Sequence, residues 1–482
     1  MKNTVFPKLR WVKLTHQEAE ADKAAFASAS PELSSGAAAL REAIQKVGLP
    51  RAPPDTPPVK EAEFLLNAVS EVEHALLVQY LYAAYSIRAA GAPLAVRQRQ
   101  KQLIKTAVEE MGHLITAQNL LLSIGASIYL NRDETDFGKK SAGNFPFPIR
   151  FEPLSLESLA KYVTAESPSP ETIQDAALRA RVEPIFQRAE QKAGRMVNHV
   201  GILFAYLFWL FQPTDEPHPL WPDLPVDLMP PGRHLSDSDF TNMFEERQAL
   251  PEEFGPPSEN VFILIIRSRY DALIALDMIA QQGEGWKLLQ DSHFERFLDT
   301  YEKFATELAD YIIGVPVNPN TFADGDPTME QSRITHEAAL RWAKLLNVRY
   351  RLVLIELGLA MLQPRTSDDG STLGRSALIS TSLENEMRNN IKIIVTRLNN
   401  LPLHPDSPAG EVAGVPFELP DGSFPTDASG LRLQLREALM EARQLMGELE
   451  NLPAPNQPSS DDLDLINSLR YQDDSMLAAI EA

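Results

Sequence analysis

Apolar residues in this chain recur mostly at three- and four-residue steps, the signature of helices that bury one face. Residues 60–90 and 96–126 carry the strongest such patterns, joined by a short GAP-containing turn that makes them antiparallel neighbours. A long helical pattern spans roughly 172–211, and others follow at about 260–281, 286–313, 328–363, 376–400 and 430–451. An Ala-rich stretch at about 15–47 predicts an N-terminal helix, closed by LPRAPPDTPP because proline cannot continue a helix. Residues 140–155 and 411–425 admit short strands, but no alternating strand series and no repeated period is present.

The pattern therefore predicts a mainly α protein, a helix bundle with additional helices and long Pro-rich loops. Four parts are expected: an N-terminal helical extension and linker over 1–59, the bundle over 60–313, C-terminal helices packing on it over 314–430, and a terminal helix with an acidic tail over 431–482. The bundle is interrupted by a Pro-rich insertion at about 212–260, a length typical of lids, binding loops or disordered segments.

Composition narrows the chemistry. The hydrophobic fraction of 44% allows a substantial core. A formal net charge of -21 repels phosphate backbones, which argues against nucleic acid as a partner. With no cysteine, disulfides, thiolate metal sites and thiol nucleophiles are all excluded, so any metal must use His, Asp, Glu, backbone or water. The apolar run near Met196–Phe211 contains Asn198 and His199 and is short for a membrane span, so a buried helix is expected. The N-terminus lacks a signal-peptide core, and a cytoplasmic location is expected. No Gly-rich loop follows a strand and opens a helix, so no phosphate-binding fingerprint is read.

Two helices carry carboxylates on the wrong side. In AVSEVEHALLVQYLYAAYSI, residues 68–87, Glu73 shares its face with Leu66, Val69, Leu76, Leu77 and Tyr80, whereas Glu71 lies on a mixed face. In the next helix Glu110 aligns with Leu103, Ala107, Leu114 and Ala117, and His113 follows one turn along. Glu109 aligns with Lys105, Thr106 and Gly112, so Glu71 and Glu109 are expected at the margin, within reach of water. A buried unpaired carboxylate is costly, and a divalent cation removes that cost. Glu-x-x-His presents an oxygen and a nitrogen to one metal, and carboxylate-bridged metal pairs in helix bundles use it. An exposed Glu-His pair is the alternative for the tetrapeptide alone; the inward Glu73, 37 residues earlier at a similar depth, favours metal.

At these residues the chain resembles a known family. EVEHALLVQYLYAAYSI and AVEEMGHLITAQNLLLSIGA are similar to the ferritin-like domain of iminophenyl-pyruvate dimer synthases, enzymes of violacein- and rebeccamycin-type bisindole biosynthesis. Weaker similarity continues in FPFPIRFEPLSLESLAKYVTAESP (145–168), QQGEGWKLLQDSHFERF (281–297), LLNVRYRLVLIELGL (345–359) and VAGVPFELP (412–420), covering about 60–425 with gaps. The resemblance implies a ferritin-like four-helix bundle holding iron, mononuclear or asymmetrically dinuclear, or manganese. It assigns Glu73, Glu110, His113 and His293 as ligands and Glu284 as a ligand or a proton-moving acid. Two positions depart from the pattern: Gln290 stands where a second Glu-x-x-His would have Glu, and Ile202 stands where a third-helix carboxylate is sought. His199 and Glu190 are the substitutes nearby.

The function this implies is a metal-dependent oxidoreductase of specialised metabolism. It would act on an amino-acid-derived small molecule by oxidative imine formation or coupling, alone, as a homodimer or with a pathway enzyme. A non-catalytic ferritin-like scaffold with a degenerate metal site is the alternative. Tyr80, Tyr82 and Tyr85 are expected to pack their rings and hydrogen-bond their hydroxyls. Arg267 and Arg269 are expected to pair with Asp271 or a neighbouring Glu, with a substrate carboxylate as the alternative. His218, Trp221 and His234 are candidates for lining a lid.

Overall fold

In the computed structural model the described residues are 10–12, 35–53, 55–132, 150–167, 173, 175–193, 200–255, 261–282, 291–322, 331–420 and 422–482. Prolines set the start of the two central helices. Pro58 sits in the first turn of α2 (Pro58–Tyr85), which follows α1 (Ser35–Val47), and Pro93 immediately precedes α3 (Leu94–Ser123). Gly125, at φ +72°, takes the left-handed conformation just beyond α3 and turns the chain back.

The α2–α3 hairpin is buried on both sides and separates two hydrophobic cores. One face, with Leu65, Leu66, Leu76 and Leu103, joins α1, α4 (Leu156–Ala165), α5 (Ala176–Ala193), α6 (Val200–Phe211), α7 (Arg269–Gln282) and α8 (His293–Lys303). The other face, with Val78, Tyr82, Met111 and Ile115, meets α9 (Glu337–Leu362), α10 (Arg375–Ser380), α11 (Lys392–Leu398), α12 (Ala428–Glu450) and α13 (Ser460–Glu481). A π-helical stretch over Thr381–Ile391 joins α10 to α11. Double burial explains why α2 is apolar around nearly its whole circumference.

Several expectations change in detail. The pattern over 172–211 yields two helices, α5 and α6, with 194–199 outside the described residues. Ile202–Phe211 are all buried, and among the described residues no helix is long and apolar enough to cross a membrane. The β-branched run at 261–267 is not helical; it lies extended across α3, where Phe262 accepts from Thr116 Oγ1 at 3.3 Å and Leu264 donates back at 3.3 Å. Gly112 permits this approach, because a Cβ there would stand 2.7 Å from the Phe262 carbonyl oxygen. Residues 411–412 form only isolated bridges, 150–155 form no strand, and 140–149 are outside the described residues. Among the described residues the strands are β1 (Arg10–Val12) and β2 (Leu49–Arg51), an antiparallel pair within the N-terminal extension.

The acidic tail is also structured. Ser459 and Asp462 form a reciprocal cap that starts α13, and Ile466, Leu469, Met476 and Leu477 give it a buried stripe. Its Asp473 pairs with the fully buried Arg349 of α9 at 2.6 Å.

The described part of the insertion, 212–255, is fastened down at several points. His234 bonds the Trp209 carbonyl at 2.9 Å and Asp215 at 2.8 Å, and Arg233 pairs with the buried Glu61 of α2. Arg269 reaches the carbonyls of Phe211 and Leu235, each at 2.8 Å, and pairs with Asp237. Arg267 pairs with Glu245 at 2.8 Å, while its backbone N–H bonds Asp271. Trp221 packs on Phe208 with centroids 5.3 Å apart, and His218 Nδ1 accepts from the Leu220 N–H. Both arginines and all three aromatic candidates therefore serve internal contacts of this insertion.

Candidate metal centre

Four helices converge on one buried cluster. α2 supplies Glu73 and α3 supplies Glu110 and His113, the three residues singled out by periodicity. α8 supplies His293 as its first residue, after the N-cap Ser292. The fifth member is Glu166, at the C-cap of α4. All five are at most 3% exposed.

The donor atoms fall into two groups, each within a 4.8 Å span: Glu73, Glu110 and His113, and Glu110, Glu166 and His293. Glu110 belongs to both. Its Oε2 lies 2.9 Å from His113 Nδ1, and its Oε1 lies 3.1 Å from His293 Nδ1. Glu73 Oε2 is 3.4 Å from His113 Nδ1, and Glu166 Oε2 is 3.4 Å from His293 Nδ1. The two imidazole rings have centroids 5.8 Å apart.

The set fits a pair of divalent cations. Glu73 Oε2, Glu110 Oε1 and His293 Nδ1 are buried without a hydrogen-bond partner, although the last two stand close together. Converging donors that fail to bond one another are what a cation would satisfy. The outer contacts also set the tautomers. Glu109 lies 3.0 Å from His293 Nε2 and, as a carboxylate, can only accept, which leaves Nδ1 free for a metal. His113 Nε2 meets the Gln282 side-chain oxygen at 2.9 Å, leaving Nδ1 toward Glu73 and Glu110.

Electrostatics show what the cluster does on its own. Burial pushes Glu73 up to about 8, and the neighbouring Glu110 charge adds to this. Burial and Glu110 also raise Glu166. Burial would raise Glu110 too, but His293 and His113 hold it well below the ordinary range. Burial works against a charged His113, yet Glu110 and Glu73 bring it up to about 10; Glu110, Glu109 and Glu166 likewise raise His293 despite its burial. The cluster thus favours protons on Glu73, Glu166 and the two imidazoles while Glu110 stays ionised, and bound cations would displace those protons. Glu166 bears an added cost, since a carboxylate at a helix C-terminus faces the negative end of the helix dipole.

The sequence reading placed the third-helix carboxylate on the wrong segment. α6 is not the helix that contributes to the cluster, and Ile202 is an ordinary core residue, 1% exposed. Glu166 is the carboxylate that stands at the cluster instead, from a stretch that reads as irregular because it is Pro-rich and its helix is short. Its one sequence signal was the end of an amphipathic stretch, LESLAKYVTAE. Glu190 is exposed on α5, while His199, Glu284 and Gln290 lie outside the described residues.

Glu109 is the second correction. It is 6% exposed, not marginal, because α8 covers it and supplies Arg296, whose Nη2 lies 3.2 Å from Glu109 Oε1. Burial pushes Glu109 up, but His293 and Arg296 hold it below the ordinary carboxylate value. Lys105 is 3.6 Å away, and Asp291 pairs with Arg296 at 2.8 Å. Glu71 is half-buried and accepts from the Tyr129 hydroxyl.

The tyrosines largely behave as expected. Tyr80 packs against Tyr162 and Phe297, with centroids 5.0 and 4.8 Å away, and donates its hydroxyl to Glu166 Oε1. Tyr82 stacks on Phe151 and donates to the Pro316 carbonyl. Tyr85 is buried enough to push its hydroxyl up to about 12.

Comparison with known proteins gives a consistent picture. A family model described as Ferritin-like matches residues 66–302, a span containing all five cluster residues. The chain is 23% identical over 419 residues to the 2-imino-3-(indol-3-yl)propanoate dimerase of Chromobacterium violaceum, covering 79% of this chain and 36% of that protein. It is 24% identical over 390 residues to the dichlorochromopyrrolate synthase of Lentzea aerocolonigenes, covering 72% and 35%. The chain therefore spans about a third of the length of the curated relatives it matches. No solved structure matches it. The family match and the two relatives agree with the resemblance read from the sequence.

Proposed function

From the premise that residues 66–302 form a ferritin-like domain, we propose that this protein is a metal-dependent oxidoreductase of specialised metabolism acting on an amino-acid-derived small molecule. The observation that carries the reading is Glu110, whose two oxygens face two separate donor groups. This supports a dinuclear centre, with Glu73, Glu110 and His113 holding one cation and Glu110, Glu166 and His293 the other. Iron is the leading candidate and manganese the second, since carboxylate and imidazole donors suit both. Such a pair supplies electron transfer between an organic substrate and dioxygen or peroxide.

The chain's own residues divide the remaining work. Glu109 and Gln282 hold the imidazoles so that Nδ1 of each faces inward. Tyr80 orients Glu166 and carries a proton at the edge of the centre. Tyr80, Tyr162 and Phe297 form a packed aromatic wall that keeps water from reactive species. For Glu284 we keep the proposal that it orients a ligand or moves a proton; Glu284→Gln tests it.

The two relatives, named as a dimerase and a synthase, support oxidative imine formation or coupling as the reaction class. Imine formation removes two electrons and two protons from an amine, and coupling removes the same from two molecules; dioxygen accepts both pairs and becomes hydrogen peroxide. The test is dioxygen uptake by protein loaded with Fe(II), measured with a panel of aromatic 2-amino and 2-imino acids. Substrate-dependent uptake, with a product lighter by two hydrogens or coupled, is expected. Uptake that no organic substrate accelerates would favour a non-catalytic scaffold.

A further inference from the structure

The two donor groups look alike in composition, each with two carboxylates and one imidazole, but their surroundings differ. His293 is backed by the Glu109 carboxylate, itself fixed by Arg296 and Lys105. His113 is backed by the neutral Gln282 amide. Glu166 is oriented by the Tyr80 hydroxyl on its outer oxygen. For Glu73, whose inner Oε2 faces His113 at 3.4 Å, no comparable partner from outside the cluster is found among the described residues.

These differences act in one direction. A carboxylate that accepts from the far ring nitrogen makes an imidazole a stronger donor than an amide does. Ligands already held in place also lose less conformational freedom when a cation arrives. The outer shell of the Glu110–Glu166–His293 group is charged and fixed, whereas that of the Glu73–Glu110–His113 group is neutral on one ligand and, among the described residues, missing on the other.

We propose that the two positions are unequal: Glu110, Glu166 and His293 take the first divalent cation, tightly, and Glu73, Glu110 and His113 take the second, more weakly and exchangeably. Glu109 is the positioning residue that sets the difference. This rests on the metal-centre reading above and adds an order of filling to it.

The experiment is an anaerobic titration of the chelator-stripped full chain with Mn(II), followed by electron paramagnetic resonance. Wild type is expected to bind in two separated steps, with an isolated-ion spectrum up to one equivalent and an exchange-coupled spectrum toward two. Glu109→Gln retains an acceptor but loses the charge, and is expected to weaken the first step about 10- to 100-fold so that the two merge. Gln282→Glu gives His113 the same kind of partner and is expected to tighten the second step by a similar factor. Circular dichroism confirms the fold of each variant, and the tightening by Gln282→Glu is an effect that loss of folding cannot imitate. Two ions entering in one step, or a first step that Glu109→Gln leaves unchanged, would overturn the inequality while leaving the metal centre standing. Failure of wild type to bind any ion would overturn the metal-centre reading and this inference with it.

Discussion

His113 and His293 both turn Nδ1 toward Glu110, one at 2.9 Å from Oε2 and the other at 3.1 Å from Oε1. A single carboxylate on α3 thereby links a histidine of its own helix to one brought from α8, 180 residues later in the chain. The arrangement depends on close backbone packing around α3, which gives the first prediction.

Gly112 lies between Met111 and His113, with the extended 261–267 segment against it. Gly112→Ala would drive a methyl group to within 2.7 Å of the Phe262 carbonyl oxygen, a backbone atom that cannot rotate away. Overpacking of this kind costs about 1–3 kcal/mol. Urea unfolding is expected to show that loss, together with weaker metal retention, because the same segment leads into α7 and Gln282. Unchanged stability would mean that the segment is free to move off α3.

A second prediction concerns Arg349, completely buried between Asp473 and Glu386 at 2.6 and 3.0 Å. Removing one partner from a buried ionic cluster typically costs about 3–5 kcal/mol. Arg349→Ala is expected to lower unfolding stability by that order and to make α13 more open to limited proteolysis. A change below about 1 kcal/mol would show that the cluster is not the tie between α13 and α9.

The same cluster predicts a pH dependence. Burial first, and then repulsion from Glu386 and Asp473, hold Glu356 well above its ordinary value of 4.5, against the opposing pull of Arg349. In the unfolded chain Glu356 loses its proton near that ordinary value, while the folded protein keeps it. Above pH 4.5 the folded state therefore binds more protons than the unfolded one, and stability falls as pH rises toward the folded-state pKa. Glu386 and Asp473 are raised as well and act in the same sense. Glu356→Gln should reduce the slope of stability against pH, read from urea midpoints across about pH 5–9. Parallel profiles for wild type and variant would contradict this assignment.

Much of the fold and about half of the cluster are legible in the sequence. Glu73, Glu110 and His113 stand out because each breaks an apolar stripe on a long helix, and helix spacing makes such a break visible. His293 came from resemblance, since a residue opening a short helix after a Gly-rich stretch has no stripe to interrupt. Glu166 escaped for a related reason: α4 has ten residues and Glu166 caps it, so periodicity ends where this member of the cluster begins. Glu109 misled because its stripe carries Lys105 and Thr106, which read as solvent-facing but serve a buried charge network with Arg296. The helicity of the acidic tail was hidden in the same way, because Asp473 finds its counter-charge 124 residues away.

The central claim is that Glu110 is shared by two cations. Metal content of the full chain, purified without chelators and reloaded anaerobically with Fe(II), tests it most directly. Measured at equilibrium with free Fe(II), wild type is expected to hold about two ions per chain, Glu73→Ala and His293→Ala about one each, and Glu110→Ala fewer than one. A wild type that holds a single ion, or a Glu110→Ala variant that still holds two, would contradict the account.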